Sequence, residues 1–156
     1  MTFSDWEDGV PNILREDALW TVKAYRLSLF LADIAWSDVL KLSKANGMRS
    51  LSDQLYRSCG SICANLEEGY SKASSKDRAR FYEYSLGSAR ETRGWFYRAR
   101  HVLGEEVALH RLGLSTEIIK LLLIMVPDQR SKGKQQVCEE SPEYTVRGIL
   151  DVEVPQ

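Results

Sequence analysis

Residues 50–66 read Ser50-Leu51-Ser52-Asp53-Gln54-Leu55-Tyr56-Arg57-Ser58-Cys59-Gly60-Ser61-Ile62-Cys63-Ala64-Asn65-Leu66. Leu51, Leu55, Cys59, Ile62 and Leu66 recur at steps of four, four, three and four, which is the apolar face of a single α-helix. Ser50 and Asp53 stand at the spacing with which two side chains take up orphan backbone N–H groups at a helix start. The helix is expected to finish near residues 69–73.

The same reading extends in both directions. Upstream, a helix is expected to start near residues 17–20. It carries Val22, Leu27, Phe30, Leu31, Ile34 and Val39, and stops at Asn46-Gly47, a pair that takes the left-handed turn closing a helix. Downstream, Ser74-x-x-Asp77 repeats the capping spacing. Phe81, Ser85, Ser88, Thr92, Trp95, Ala99 and Val102 then alternate at steps of three and four, a seam rich in small residues that lets a neighbouring helix approach closely. Gly104 ends that helix. A fourth is expected over about residues 105–126, with Pro127 as its stop; a break at Gly113 with a restart at Ser115 or Thr116 is the alternative. Between Pro11 and Pro127 the chain has no proline, as long helices require. Short connections between such helices make antiparallel neighbours. The expected fold class is therefore all-α, an antiparallel up-and-down four-helix bundle over residues 17–127. Residues 1–16 form an acidic N-terminal extension and residues 128–156 a flexible C-terminal tail. Residues 144–154 are the one stretch with a trace of strand-like alternation.

A chain of 156 residues is long enough for one domain with its own core. Its 44% hydrophobic and 28% charged residues exclude a disordered protein. Cys59, Cys63 and Cys138 are too few for a disulfide framework, which fits a reducing compartment. The first residues lack the basic and apolar regions of a signal peptide. The longest apolar runs, residues 27–36 and 118–126, are interrupted by Asp33 and Lys120 and fall short of the ~20 residues of a membrane span. The expected location is cytoplasmic, with no membrane partner.

No pattern of residues announces catalysis. His101 and His110 lie nine apart, on opposite sides of any one straight helix. Cys59 and Cys63 share a helix face, but no further ligand stands near enough in sequence to complete a metal site, so they read as small core residues. Glu67 and Glu68 are adjacent and diverge, whereas paired-carboxylate chemistry needs convergence. Glu68 or His101 would serve as a general base only in a pocket that brought them together. The expectation is a protein that is not an enzyme, with no cofactor, no metal and no small-molecule substrate.

Charge is distributed unevenly along a chain whose net charge is only −1. Residues 48–101 hold ten basic and six acidic residues, whereas the first 17 hold one basic and five acidic. The acidic ends have two destinations open to them, the basic middle segment or a separate partner. Arg90, Arg93, Tyr97 and Arg100 fall at steps of three, four and three, one stripe of guanidinium groups with an aromatic ring among them. Arginine forks fit phosphates, and tyrosine can stack on a base. Arg78 and Arg80, at the start of the same helix, complete a candidate nucleic-acid-binding set. The competing reading is a solvated face that pairs with acids on another subunit.

The run Ser61-Ile62-Cys63-Ala64-Asn65-Leu66-Glu67-Glu68-Gly69-Tyr70 resembles the S-I-P-A-N-I-A-E-G-F signature of the 23S rRNA intervening-sequence proteins, also called four-helix bundle proteins. Gln54-Leu55-x-Arg57 before it, and Ser75-Lys76, Phe81 and Leu86-Gly87-Ser88 after it, continue the likeness, which spans about residues 17–126. Cys63 stands where the family has proline, Glu67 where it has a small residue, and Tyr70 where it has phenylalanine. The resemblance implies an up-and-down four-helix protomer that assembles as a homopentamer, without catalytic activity. Members are encoded within insertions in bacterial large-subunit rRNA genes. A related branch comprises accessory proteins of diversity-generating retroelements, which bind a reverse transcriptase and its template RNA through a basic surface. Matched to the signature, Asn65 is expected to tie helices together. Glu68 is expected to pair with Arg57 or with a basic group of the next subunit, and Gly69 to permit close packing or the helix exit. Gly87 and Ser88 join them as structural or oligomer positions. The functional expectation is a non-catalytic homo-oligomeric scaffold that binds a nucleic-acid or protein partner. The alternative is an accessory subunit of such a reverse transcriptase, against which the near-neutral net charge counts.

Overall fold

In the computed structural model, which describes residues 1–132 and 151–155, the acidic start of the chain is helical and packed. Thr2 and Asp5 form a reciprocal capping box that opens α1 (Phe3–Gly9). Phe3 and Trp6 are buried, and both rings pack on Phe30, at 5.3 and 5.4 Å between centroids. The acidic extension thus contributes aromatic residues to the main core. A short α2 (Asn12–Arg15) and a 3-10 turn (Ala18–Thr21) follow, the latter capped by Asp17, whose Oδ1 accepts from the Leu19 N–H at 2.7 Å. Asp17 therefore starts this turn, and the first long helix begins later than expected.

Four long helices make up the rest: α3 (Lys23–Lys44), α4 (Arg49–Tyr70), α5 (Ser75–Leu103) and α6 (Glu105–Lys132). The described residues are all-helical, with no strand. Helix α5 packs on both α4 and α6, α3 packs on α4, and α3 also meets α6, so the four enclose one core. The α4 seam behaves as its spacing predicts: Leu55, Cys59, Ile62 and Leu66 are buried and Leu51 lies at the margin. On α5 the buried line is Tyr82, Ser85, Ala89, Thr92, Phe96, Ala99 and Leu103, while Phe81, Trp95 and Val102 lie half-buried beside it and Ser88 is at the exposed margin.

Helix ends match the capping signals unevenly. Ser74 Oγ accepts from the Asp77 N–H at 3.0 Å and opens α5 as expected. Ser50 is not a cap: α4 starts one residue before it, with Met48 in the cap position and no side-chain cap. Gly47 and Gly104 have φ of +76° and +95°, the left-handed region that ends α3's exit turn and α5. Pro127 does not stop α6, which also passes straight through Gly113. A proline costs one backbone hydrogen bond of the preceding turn. Side chains beyond it anchor the added turn: Gln129 is buried and accepts from Arg78 Nη1 at 3.2 Å, and Arg130 pairs with Glu83 of α5.

The expected tail from residue 128 divides into three. Residues 128–132 belong to α6. Residues 133–150, with most of the strand-like stretch, lie outside the described residues, as does residue 156. Residues 151–155 rest on the helical core and are not a free tail: Val154 is buried, its N–H donates to the Met1 carbonyl at 3.1 Å, and Glu153 pairs with the Met1 amine. The acidic N-terminal segment meets a basic group of α3, Glu7 pairing with Arg26 at 2.6 Å.

Candidate nucleic-acid interface

The stripe on α5 survives as one face of the helix. Arg90 is exposed and makes no ion pair or hydrogen bond among the described residues. Tyr97 is 54% exposed, and the Arg100 guanidinium lies over its ring at 4.0 Å while Nη1 donates to the Tyr97 carbonyl at 2.7 Å. Arg93 is half-buried and reaches across to α6, donating to Thr116 Oγ1 at 3.3 Å. Arg98, which the three-and-four spacing passes over, stands beside the stripe with its guanidinium 4.4 Å over the Trp95 ring. A cation held over a ring in this way keeps its charge at the surface, where its remaining N–H groups can meet an anion. The legible signal for Arg98 was its position three residues after Trp95.

Arg78 and Arg80 lie apart from this face, at the opposite end of α5 and about 15–18 Å from Arg90 along the axis. Arg78 is a tie between elements: it donates to Gln129 of α6 and, through Nη2, to the Lys72 carbonyl at 2.9 Å. Arg80 is exposed, pairs with Asp77 at 3.5 Å and sits 5.4 Å from the Phe81 ring centroid.

Among the signature residues of α4, Asn65 acts differently from what the resemblance implied, Glu68 does not pair with Arg57 within the chain, and Gly69 packs closely as expected. Asn65 Nδ2 donates to the Ser61 carbonyl at 2.7 Å, a bond within its own helix, so it does not join two helices. Glu68 pairs with Lys72 at 3.1 Å one turn along, and Arg57 stays exposed without an ion pair among the described residues. Ties between α3 and α4 come instead from Glu67, where Tyr25 Oη donates to Oε1 at 3.1 Å, and from Ser52 Oγ, which donates to the Val39 carbonyl at 3.0 Å. Burial first, then the Glu67 charge, hold the Tyr25 hydroxyl protonated well above its ordinary range. Gly69 is a close-packing position: a Cβ there would stand 2.9 Å from Phe81 Cβ and from two atoms of the Tyr82 ring. Gly87 is exposed with open space where a Cβ would go, and Ser88 donates to the Tyr84 carbonyl of its own helix.

Sequence reasoning missed a polar cluster inside the core. Arg111 is 1% exposed and grips Asp38 of α3 through Nε at 2.8 Å and Nη2 at 3.3 Å. Nη2 also donates to the Pro155 carbonyl, and Nη1 lies 3.0 Å from His110 Nδ1. Burial, then the Arg111 charge, push the His110 pKa down to about 4. This is a fully paired structural site. Cys59 and Cys63 are buried core residues whose thiols burial pushes up to about 12 and about 11. His101 is exposed at the end of α5, and Glu68 is exposed near the end of α4, beside the start of α5. About 39 Å of helix separates the two regions, so the structure does not bring them together. No cluster of three or more metal-ligating side chains occurs among the described residues, and none of their helices is long and apolar enough to cross a membrane.

A sequence model of the 23S rRNA-intervening sequence proteins matches residues 21–123. Among solved structures, the chain is similar to a protein of unknown function from the S23 ribosomal protein family of Bacteroides thetaiotaomicron. The identity is 27% and the TM-score 0.62, covering 66% of this chain and 97% of that one. No curated protein matches. The matched span begins just before α3 and ends within α6, taking in the α4 seam, the Asn65–Gly69 signature and the α5 stripe, and the chain belongs to the 23S rRNA-intervening sequence protein family.

Proposed function

We propose that the four long helices form one up-and-down bundle that assembles with copies of itself, five as the family resemblance implies, into a non-catalytic scaffold in the cytoplasm. The assembly presents the outer face of α5 to the phosphate backbone of an RNA. The observation that carries this reading is the exposed set Arg90, Tyr97 and Arg98, with the Arg100 and Arg98 guanidinium groups over rings at 4.0 and 4.4 Å from the centroids. Repeating one such face around a ring multiplies a weak electrostatic contact into a useful one, because linked sites bind with a high effective concentration. This offsets the near-neutral charge of the single chain. Filter binding at low salt tests it: the full chain retains single-stranded RNA, and a variant carrying Arg90→Ala with Arg98→Ala does not. Absence of retention by the unaltered chain removes RNA from the account. The reverse-transcriptase accessory reading draws on the same face, and no separate observation favours it.

A further inference from the structure

Two outward faces of the chain are apolar and uncovered among the described residues, and they differ from each other. The first is a groove of about 850 Å3 on the α3–α4 side, walled by Leu14, Trp36 and Tyr56 above a floor of Gly60 and Ala64. Trp36 and Tyr56 meet edge to face at 5.8 Å, and each is about half exposed. The second face is the outside of α6. One side of that helix is buried through Leu114, Ile118 and Leu122, yet Leu109, Leu123 and Ile124 point away from the core at 62%, 47% and 42% exposure. A helix that is apolar nearly all round is normally buried on all sides.

We infer that the outside of α6 in one copy seats in the α3–α4 groove of a second copy. This rests on the self-assembly proposed above and adds which surfaces meet. The sizes correspond: the floor from residue 56 to 64 is about 12 Å long, and residues 120–127 of α6 span about 10 Å. The floor also admits a close helix, since nothing lies within 4 Å of where a Cβ of Gly60 would be. The charges correspond as well. Lys120 is the single charged residue in the run from 118 to 126. The groove lining carries the carboxylates of Asp5 and Asp33 against the Arg57 side chain and the Met1 amine, and that amine is already paired with Glu153. Among the described residues Lys120 pairs with Glu117 one turn back, and the exposed ammonium makes this a weak tie that a second copy's carboxylate can replace. Because ridge and groove are different surfaces, each copy uses both, and such a head-to-tail contact builds a ring where the rotation between copies closes, and not a two-fold dimer.

Mixing two variants tests the pairing. Tyr56→Asp spoils the groove and leaves the ridge; Leu123→Asp spoils the ridge and leaves the groove. Both positions are exposed, and circular dichroism confirms that each variant keeps the helical fold; Trp36→Asp with Ile124→Asp repeats the test independently. Sedimentation velocity is expected to show an assembled wild type, each variant alone at 17.8 kDa, and the equimolar mixture as a pair of twice that mass. A mixture that stays monomeric, or a variant that assembles like wild type, overturns the pairing while leaving self-assembly standing. A monomeric wild type overturns both.

Discussion

Arg111 of α6 and Asp38 of α3 lie 73 residues apart in sequence and form an ion pair that water does not reach, with Nε to Oδ2 at 2.8 Å and both side chains almost fully buried. Removing one member of such a pair strands the other charge, which costs about 3–5 kcal/mol, whereas replacing both with apolar residues of similar volume is close to neutral. Asp38→Ala is therefore expected to lower unfolding stability by about that amount in urea titrations. Asp38→Leu combined with Arg111→Met is expected to recover most of the loss. A single-variant loss below about 1 kcal/mol would show that the pair is not sealed in solution.

His110 supplies a pH dependence in the same region. Its pKa is held down to about 4 in the fold against an ordinary 6.5. Between those values the unfolded chain binds the proton and the folded chain does not, so stability falls as pH drops from about 6.5 to about 4. His110→Gln is expected to flatten that part of the profile, measured as melting temperature at a series of pH values. Identical slopes for the two proteins would contradict the assignment.

Two glycines are expected to answer the same substitution with opposite signs. Gly69→Ala drives a methyl group against Phe81 and Tyr82 at 2.9 Å, an overpacking that costs about 1–3 kcal/mol. Gly87→Ala meets nothing within 4 Å and removes backbone freedom from the unfolded chain. It is expected to stabilise the protomer by about 0.5–1 kcal/mol. Thermal melts of both variants give the comparison.

RNA binding through α5 has a signature in salt. Removing one side chain that neutralises a phosphate is expected to reduce the slope of log affinity against log salt by about 0.7 for a single strand. Arg90→Ala should do this with similar effect on any sequence. Tyr97→Ala should leave the slope nearly unchanged and weaken binding by about 1–3 kcal/mol, because a base no longer has a ring to stack on. A slope unaltered by Arg90→Ala would place the RNA elsewhere on the protein.

The long helices were legible because their signals are local and repeated: proline-free length, and apolar residues at steps of three and four whose burial the α4 seam confirms. Helix ends were less so, since a cap depends on which backbone N–H is left over. Ser74 met that condition, while Ser50 fell one residue inside α4. Pro127 misled because cross-helix bonds from Gln129 and Arg130 outweigh one missing backbone bond. Phe3 and Trp6 were hidden by the acids around them, and composition does not show that a short amphipathic turn can lay two rings on Phe30. The site was legible as a stripe but not in its commitments. Nothing local distinguishes Arg78, spent on Gln129, from Arg90, which is free among the described residues, and no spacing rule links Arg111 to Asp38.

Self-association is the claim on which the proposed function stands, and native mass spectrometry of the full chain at micromolar concentration measures it most directly. The predicted result is one dominant species at five times the 17.8 kDa protomer mass. A spectrum holding only the 17.8 kDa species would contradict it and leave the outer faces of α3, α4 and α6 without the cover that a second copy would give them.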